Sequence, residues 1–110
     1  MVKKLKYKGK EYPYVFNYRA YRDATYKVGR DYGKDVGHTD FETLEAYLWH
    51  GLVEGARQMN VELDIEEEHI ADMVNDIGIQ VVVNAYVDFS QGILEKTKAL
   101  NQDKEQNTKE

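Results

Sequence analysis

One pair of side chains in this 110-residue chain has a spacing used by metal sites. Glu66 and His69 are three residues apart, which places a carboxylate and an imidazole on one face of a helix. Helix bundles hold di-iron sites with two such pairs and further glutamates from other helices. This chain has a single Glu-x-x-His and no buried glutamate predicted on its other helices. We therefore predict no metal site and interpret the pair as part of an exposed, acidic helix start.

Three other features could support chemistry but lack the partners that it needs. His50 follows Trp49 on a predicted helix and His38 lies in a predicted loop, yet no motif supplies a nucleophile or an acid beside either one. The absence of cysteine excludes thiol catalysis and cysteine-bound zinc. The glycines at 29–37 match neither the dinucleotide fingerprint nor the P-loop, because no Gly-Lys-Ser/Thr opens a helix after a strand. The sequence predicts no enzyme and no cofactor.

Tyrosine is the unusual feature of the composition. Seven of the nine tyrosines lie between Tyr7 and Tyr32, interleaved with lysines and arginines. Such residues can stack on nucleic-acid bases, form a protein interface, or cover the domain's own core with the hydroxyl at its edge. Because the rest of the chain is acidic, we favour a protein interface over nucleic acid. The predicted interface residues are Tyr7, Tyr12, Tyr14, Arg19 and Arg22.

The charges are distributed unevenly along the chain, whose formal net charge is −5. Residues 1–34 hold ten Lys and Arg against three Asp and Glu, whereas residues 35–110 hold five against seventeen. The basic part could attract the acidic part of another copy, or bind nucleic acid, or be an ordinary solvated surface. We expect each basic hairpin to approach the acidic 62–76 region of a neighbouring copy, in an association that salt weakens.

The elements that would carry these residues begin with a β-hairpin. Apolar residues alternate around Lys8-Gly9-Lys10, which predicts strands at about 3–8 and 11–16 with Gly9 in the turn. Pro13 cannot donate a hydrogen bond to a ladder, so the second strand should be an edge there.

Four helices are predicted after the hairpin. The first follows the N-cap Asn17 and runs to Tyr32, with Gly33 as its left-handed stop. The second spans 40–59 after a capping box of Thr39 with Glu42. The third spans 65–76 after Asp64, which pairs with Glu67 in the same pattern. The last, 79–100, carries apolar residues at alternating spacings of three and four. We expect a core containing Phe41, Leu44, Leu48, Leu52, Ile70, Val74, Val82, Tyr86, Phe89 and Ile93.

These elements predict an α+β fold that is mostly helical, with an N-terminal β-hairpin packed on a bundle of three to four α-helices. Residues 1–100 form one domain, and the polar residues 101–110 form a disordered tail. No apolar run reaches the ~20 residues of a membrane span. We expect a cytoplasmic protein that does not contact a membrane.

The order of these elements resembles the tail assembly chaperones of long-tailed bacteriophages and related prophages. The resemblance covers about residues 3–100 and depends on four stretches. A Gly-Lys turn joins two short strands at 8–12 (KGKEY), and an aromatic helix start follows at 16–22 (FNYRAYR). The second helix carries LEA at 44–46, and a short acidic helix starts at 64–68 (DIEEE). A long final helix and a charged tail close the chain.

The resemblance implies a non-enzymatic protein made in the infected host cell. Members of this family are thought to hold the long helical tape-measure protein and to help recruit tail-tube subunits. They tend to self-associate, which agrees with the uneven charge, and many also exist in a longer form made by ribosomal frameshifting. The alternative function is a small nucleic-acid-binding regulator that uses the Tyr- and Lys-rich N-terminal region.

Overall fold

The computed structural model describes residues 2–33 and 40–108. Its elements confirm the predicted α+β architecture, with a two-stranded hairpin followed by four α-helices. In chain order they are β1 (Lys3–Tyr7), β2 (Lys10–Tyr14), α1 (Tyr18–Lys27) with a π-helical turn (Val28–Tyr32), α2 (Phe41–Met59), a 3₁₀ turn (Glu67–His69), α3 (Ile70–Ile77) and α4 (Gln80–Thr108).

The hairpin turns through Lys8 and Gly9, which both have positive φ angles of 51° and 76°. Positive φ at both central residues is the geometry of a type I′ turn, whose twist matches that of the strands. The strands pair antiparallel, with Tyr7 opposite Lys10 and Lys3 opposite Tyr14. The hairpin is therefore confirmed, although each strand ends one or two residues earlier than predicted.

Helix α1 begins and ends as its sequence indicates. The Asn17 side chain accepts a hydrogen bond from the Ala20 N–H at 3.0 Å and so caps the helix. The last turn widens into a π-helical turn, and Gly33 closes it in the left-handed conformation with φ 65°.

The next two helices start later than predicted. Asp40, not Thr39, caps α2 by accepting from the Thr43 N–H at 2.9 Å, because an aspartate carboxylate is at least as good an N-cap as a threonine hydroxyl. Thr39 and the rest of 34–39 lie outside the described residues. The predicted cap Asp64 instead pairs with Lys10, and the 3₁₀ turn starts at Glu67 with Glu66 as its N-cap, followed by α3.

Helix α4 is longer than predicted and continues to Thr108 rather than ending at Leu100. The Gln, Lys and Glu residues in this stretch are good helix formers, and no glycine or proline interrupts them. Residues 101–108 of the predicted disordered tail, 101–110, are thus helical. Gly78, at φ 87°, separates α4 from α3.

Half of the predicted core residues are fully buried, namely Leu44, Leu48, Leu52, Ile70 and Val82. Val74, Tyr86 and Phe89 are partly buried. The predictions for Phe41 and Ile93 are wrong, since their side chains are 78% and 42% exposed. Phe41 is the first residue of α2 and points outward, and Ile93 lies on the exposed second half of α4.

No single helix in the described ranges is both long and apolar enough to span a membrane. The stretches Glu67–Ile77 and Gln80–Leu100 meet the length and composition criteria only as a pair, bent by 99°.

Candidate interaction surfaces

The three hairpin tyrosines predicted at an interface lie in the core instead. The side chains of Tyr7, Tyr12 and Tyr14 are 5%, 7% and 1% exposed. Burial raises the pKa of the Tyr14 hydroxyl, which donates a long hydrogen bond of 3.5 Å to the Tyr47 carbonyl oxygen. A buried ring cannot contact a partner without opening the domain. The alternative interpretation therefore holds for these three rings, which cover the domain's own core.

The two arginines of the predicted interface are exposed, and the structure adds tyrosines beside them. Tyr18 and Tyr26 are 64% and 71% exposed and are eight residues apart, so they lie on the same side of α1 as Arg22. Arg30 lies over the Tyr26 ring, with its guanidinium carbon 5.9 Å from the ring centroid. We name this surface the Tyr–Arg stripe; its residues are Tyr18, Arg19, Arg22, Tyr26 and Arg30.

Two positive charges of the Tyr–Arg stripe are partly neutralised, each by the acidic residue that follows it in the chain. Arg22 is 3.1 Å from the Asp23 carboxylate, and Arg30 is 2.9 Å from that of Asp31. The Arg30 guanidinium lowers the pKa of Asp31 by donating to it. The arginines thus present planar, partly neutralised guanidinium groups beside two open aromatic rings.

The predicted interface did not include Tyr18 and Tyr26, because its tyrosines were taken from the hairpin alone. The residues that do face inward are Ala20, Ala24 and Val28, each at most 2% exposed. Small alanines allow α1 to lie close to α2 and leave no room for Tyr18 on that side. The Ala-x-x-x-Ala-x-x-x-Val spacing was the signal that could have predicted this orientation.

An aromatic cluster joins α1, α2 and α4 near the end of the hairpin. The Tyr47 and Tyr86 rings stack with centroids 5.3 Å apart, and the Phe16 and Phe89 rings meet edge to face at 5.4 Å. Tyr21 packs 5.2 Å from Phe89. Tyr47 is buried, while the other four rings are half-buried. The cluster both packs the three helices together and leaves an aromatic surface beside α4.

The second half of α4 exposes apolar side chains. Ile93, Leu94 and Leu100 are 42%, 59% and 63% exposed. Ile93 and Leu100 continue the spacing that buries Val82 and half-buries Phe89 closer to the domain, and Leu94 lies beside that line. One helical stripe is therefore covered in its first turns and open beyond them.

Among the described residues, three ion pairs join the basic N-terminal part to the acidic remainder of the same chain. Lys10 pairs with Asp64, Lys27 pairs with Glu67, and Lys3 lies 3.8 Å from Asp88. The hydrogen bond between Lys10 and Asp64 raises the pKa of the lysine and lowers that of the carboxyl. Part of the opposite charge that we predicted to act between copies is therefore satisfied within one copy.

Glu66 and His69, the pair with the spacing of a metal site, make structural hydrogen bonds to each other. The His69 Nδ1 accepts from the Glu66 N–H at 3.2 Å, and the Glu66 side chain accepts from the His69 N–H, which makes Glu66-x-x-His69 a capping box of the 3₁₀ turn. His50 is half-buried, and burial lowers its pKa. Within the described residues no three His, Cys, Asp or Glu side chains gather as a metal site would require.

A buried carboxylate that the sequence analysis overlooked links the start of α1 to the end of α2. The Glu54 side chain is 3% exposed and accepts hydrogen bonds from Asn17, Arg57 and Gln58. The bonds from Arg57 are the main reason that its pKa is lowered to about 2. All of this carboxylate's contacts are to residues that hold helices, so we assign it a structural role.

No protein-family model, curated protein or solved structure matches this chain.

Proposed function

We propose that this protein is a tail assembly chaperone of a long-tailed bacteriophage or prophage. It is non-enzymatic, acts in the host cell cytoplasm, self-associates, and binds the tape-measure protein, with tail-tube subunits as a second partner. The Tyr–Arg stripe on α1 is the observation that supports the binding role. The order of elements that resembles the chaperone family supplies the identity of the partner.

The composition of the stripe favours protein as the ligand. Tyrosine and arginine are enriched at protein interfaces because each gives a large contact area and a polar end at low cost in conformational entropy. Two rings eight residues apart on one helix are separated by about 12 Å, which matches side chains two turns apart on a partner helix. A long helical protein such as a tape measure could therefore lie along α1.

The non-enzymatic part of the proposal is supported by the roles of the polar groups. Glu66 and His69 cap a turn, and Glu54 joins two helices. Each of these groups makes a contact that stabilises the fold.

The binding test is a pull-down from cells that co-express this chain with the affinity-tagged tape-measure protein encoded in the same genome. We expect the wild type to co-purify and the variant Tyr18→Ser with Tyr26→Ser to be lost from the eluate. Phe41→Ser is the matched control, since it also removes an exposed aromatic ring but lies outside the stripe. Equal recovery of the wild type and the tyrosine variant would place the binding surface elsewhere.

Two further observations separate the chaperone from a nucleic-acid-binding regulator. A tape-measure gene immediately downstream of this gene would support the chaperone. Fluorescence anisotropy with labelled single-stranded and duplex oligonucleotides tests the alternative directly. Tight binding that Arg19→Glu with Arg22→Glu abolishes would replace the chaperone by the regulator.

A further inference from the structure

One side of α2 carries a line of polar residues against α1. These residues follow each other at spacings of four, three and four, which places them along one side of the helix: Thr43, Tyr47, His50 and Glu54. The Glu54 carboxylate accepts from Asn17, the N-cap of α1, and the Tyr47 ring centroid lies 6.0 Å from that of Tyr21 on α1. We name these four residues of α2 the polar line.

Hydrogen bonding differs along the polar line. The Glu54 carboxylate, at the start of α1, accepts from three residues. The Thr43 Oγ1, the Tyr47 Oη and the His50 Nε2 are buried and have no hydrogen-bond partner among the described residues. Because such an atom has given up hydrogen bonds to water without replacing them, it favours any motion that readmits water.

His50 lies at a cavity of about 360 Å³ between α2 and the second half of α1. The other lining residues are Asp23, Tyr26, Lys27, Arg30, Trp49 and Glu67. Two of them are cations and two are carboxylates, and Lys27 pairs with Glu67. The His50 Nε2 is nevertheless buried and bonds to neither carboxylate. A protonated imidazole therefore lacks an acceptor at this nitrogen while α1 is closed on α2.

We propose that the second half of α1, with its π-helical turn, opens away from α2 when His50 is protonated. Protonation places a positive charge on a partly buried imidazole that faces Lys27 and Arg30. A buried charge without a hydrogen-bond partner is costly. Opening lets water reach the imidazole and removes this cost.

The contacts of α1 suit a motion of its second half alone. The hydrogen bond between Asn17 and Glu54 holds the start of the helix on α2. The last turn is π-helical and ends at Gly33, whose φ is 65°. The ion pair between Lys27 and Glu67 crosses from the second half to the turn before α3, so the motion must break it.

Protonation and opening are linked through the pKa of His50. Burial lowers this pKa from its ordinary value of 6.5; Lys27 and Arg30 lower it further, and Asp23 opposes them. When the segment is open the imidazole is in water and recovers its ordinary pKa, so the open form binds the proton more tightly. The closed form therefore has its full stability above pH 6.5 and loses stability as the pH falls below that value.

Amide hydrogen exchange of the purified full chain, followed by NMR at about pH 7.5 and about pH 5.5, tests the opening. A detached half-helix is too short to be stable alone, so its amides exchange. We expect protection factors, corrected for intrinsic rates, to fall at least about threefold at Lys27 and Val28 at the lower pH. Those of Leu48 and Leu52 in α2 should fall less. An equal fall at all four amides would indicate global unfolding and overturn the proposal.

Two glutamine variants identify the titrating group. His50→Gln keeps a neutral polar side chain and removes the titration, so the pH dependence at Lys27 and Val28 should disappear. His69→Gln is the matched control, because it removes an imidazole outside the cavity lining and should leave the dependence unchanged.

A valine variant tests the polar line without titration. Thr43→Val removes an unpartnered hydroxyl with little change in shape, so it should raise the protection of the same α1 amides at least about threefold at both pH values. Thr97→Val is the matched control on the exposed part of α4 and should leave them unchanged. Unchanged or lower protection in Thr43→Val would contradict the role of the polar line.

Three further results would overturn the proposal: equal protection of the α1 amides at both pH values, a pH dependence that survives in His50→Gln, or an NMR titration of His50 in the wild type that gives a pKa of 6.5 or more. The last measurement needs no substitution. None of these experiments depends on what the Tyr–Arg stripe binds, so the opening and the proposed function are tested separately.

Discussion

Glu54 is the residue whose environment departs most from that of an ordinary surface carboxylate. Its two oxygens accept from the Arg57 Nε at 3.2 Å, the Gln58 Nε2 at 3.1 Å and the Asn17 Nδ2 at 3.3 Å. Asn17 is also the N-cap of α1. A charge that is buried with several donors stabilises the arrangement only while it remains ionised and all of its partners remain in place.

We predict that Glu54→Gln lowers the free energy of unfolding by about 1–3 kcal/mol at neutral pH, because it replaces charge-assisted hydrogen bonds and points an amide at donors. Urea unfolding measures the change. Glu62→Gln removes the same charge from an exposed position and should leave the free energy of unfolding unchanged. Equal losses in the two variants would contradict the structural role of Glu54.

The same network sets a pH dependence of stability. The pKa of Glu54 is lowered from 4.5 in the unfolded chain to about 2 in the folded one. The contribution of this group is therefore fully present above pH 4.5 and is lost as the pH falls toward about 2. The difference between wild type and Glu54→Gln should shrink over that interval.

At the scale of elements, the hairpin and the helix order could be predicted, because they depend on local signals. The Lys8-Gly9 turn and the Asn17 cap are both where the sequence indicates them. The start of α3 could not be predicted locally, because the competing partner of Asp64 is Lys10, which is 54 residues away in the chain. Long-range ion pairs of this kind override a cap signal.

Two glycines on α2 determine how closely β2 can approach it. A Cβ added at Gly51 would overlap the Tyr14 ring, and one added at Gly55 would overlap the Pro13 carbonyl oxygen. The Val15 N–H also donates to the Gly51 carbonyl oxygen at 3.0 Å. The hairpin therefore lies against bare helix backbone at this crossing.

We predict that Gly51→Ala and Gly55→Ala each destabilise the domain by about 1–3 kcal/mol, because the added carbon forces the strand and helix apart. The larger loss should occur at Gly55, where the obstructing atoms belong to backbone. Gly92→Ala is the matched control, because its Cβ would meet open space within a helix and should raise stability by about 0.5–1 kcal/mol. Thermal and urea unfolding measure the three stabilities. A gain of stability in all three variants would contradict this packing.

At the scale of the whole molecule, the uneven charge of the sequence becomes a set of contacts within one chain. Lys10 with Asp64 and Lys27 with Glu67 connect the basic hairpin and α1 to the acidic segment before α3. The predicted attraction between the acidic segment and a neighbouring copy's hairpin would have to compete with these internal pairs.

We predict that Lys10→Glu lowers the melting temperature more than Lys4→Glu does, since only Lys10 pairs with an acidic residue across the fold. Both variants change the net charge equally and both positions are exposed. Differential scanning calorimetry at low and high salt measures the effect, and the gap between the variants should narrow as salt screens the repulsion from Asp64. An equal shift in both variants would indicate that the pair contributes nothing.

The candidate interface could be predicted only in part. Arg19 and Arg22 are exposed as expected, because arginine is rarely buried without a partner. The hairpin tyrosines were assigned to the surface because composition does not say which side of a strand faces a helix. That side is decided by the two glycines of α2, which lie about 40 residues further along the chain.

The bare helix backbone at Gly51 and Gly55 also limits how this sequence can diverge during evolution. Surface residues can change freely, whereas a larger side chain at either position requires a compensating shift of the whole hairpin. Distant descendants should therefore retain small residues at this spacing on the second helix, even where little overall identity survives. A search that combines a short lysine-rich hairpin with Gly-x-x-x-Gly on the second following helix would recover such descendants when whole-sequence similarity no longer does.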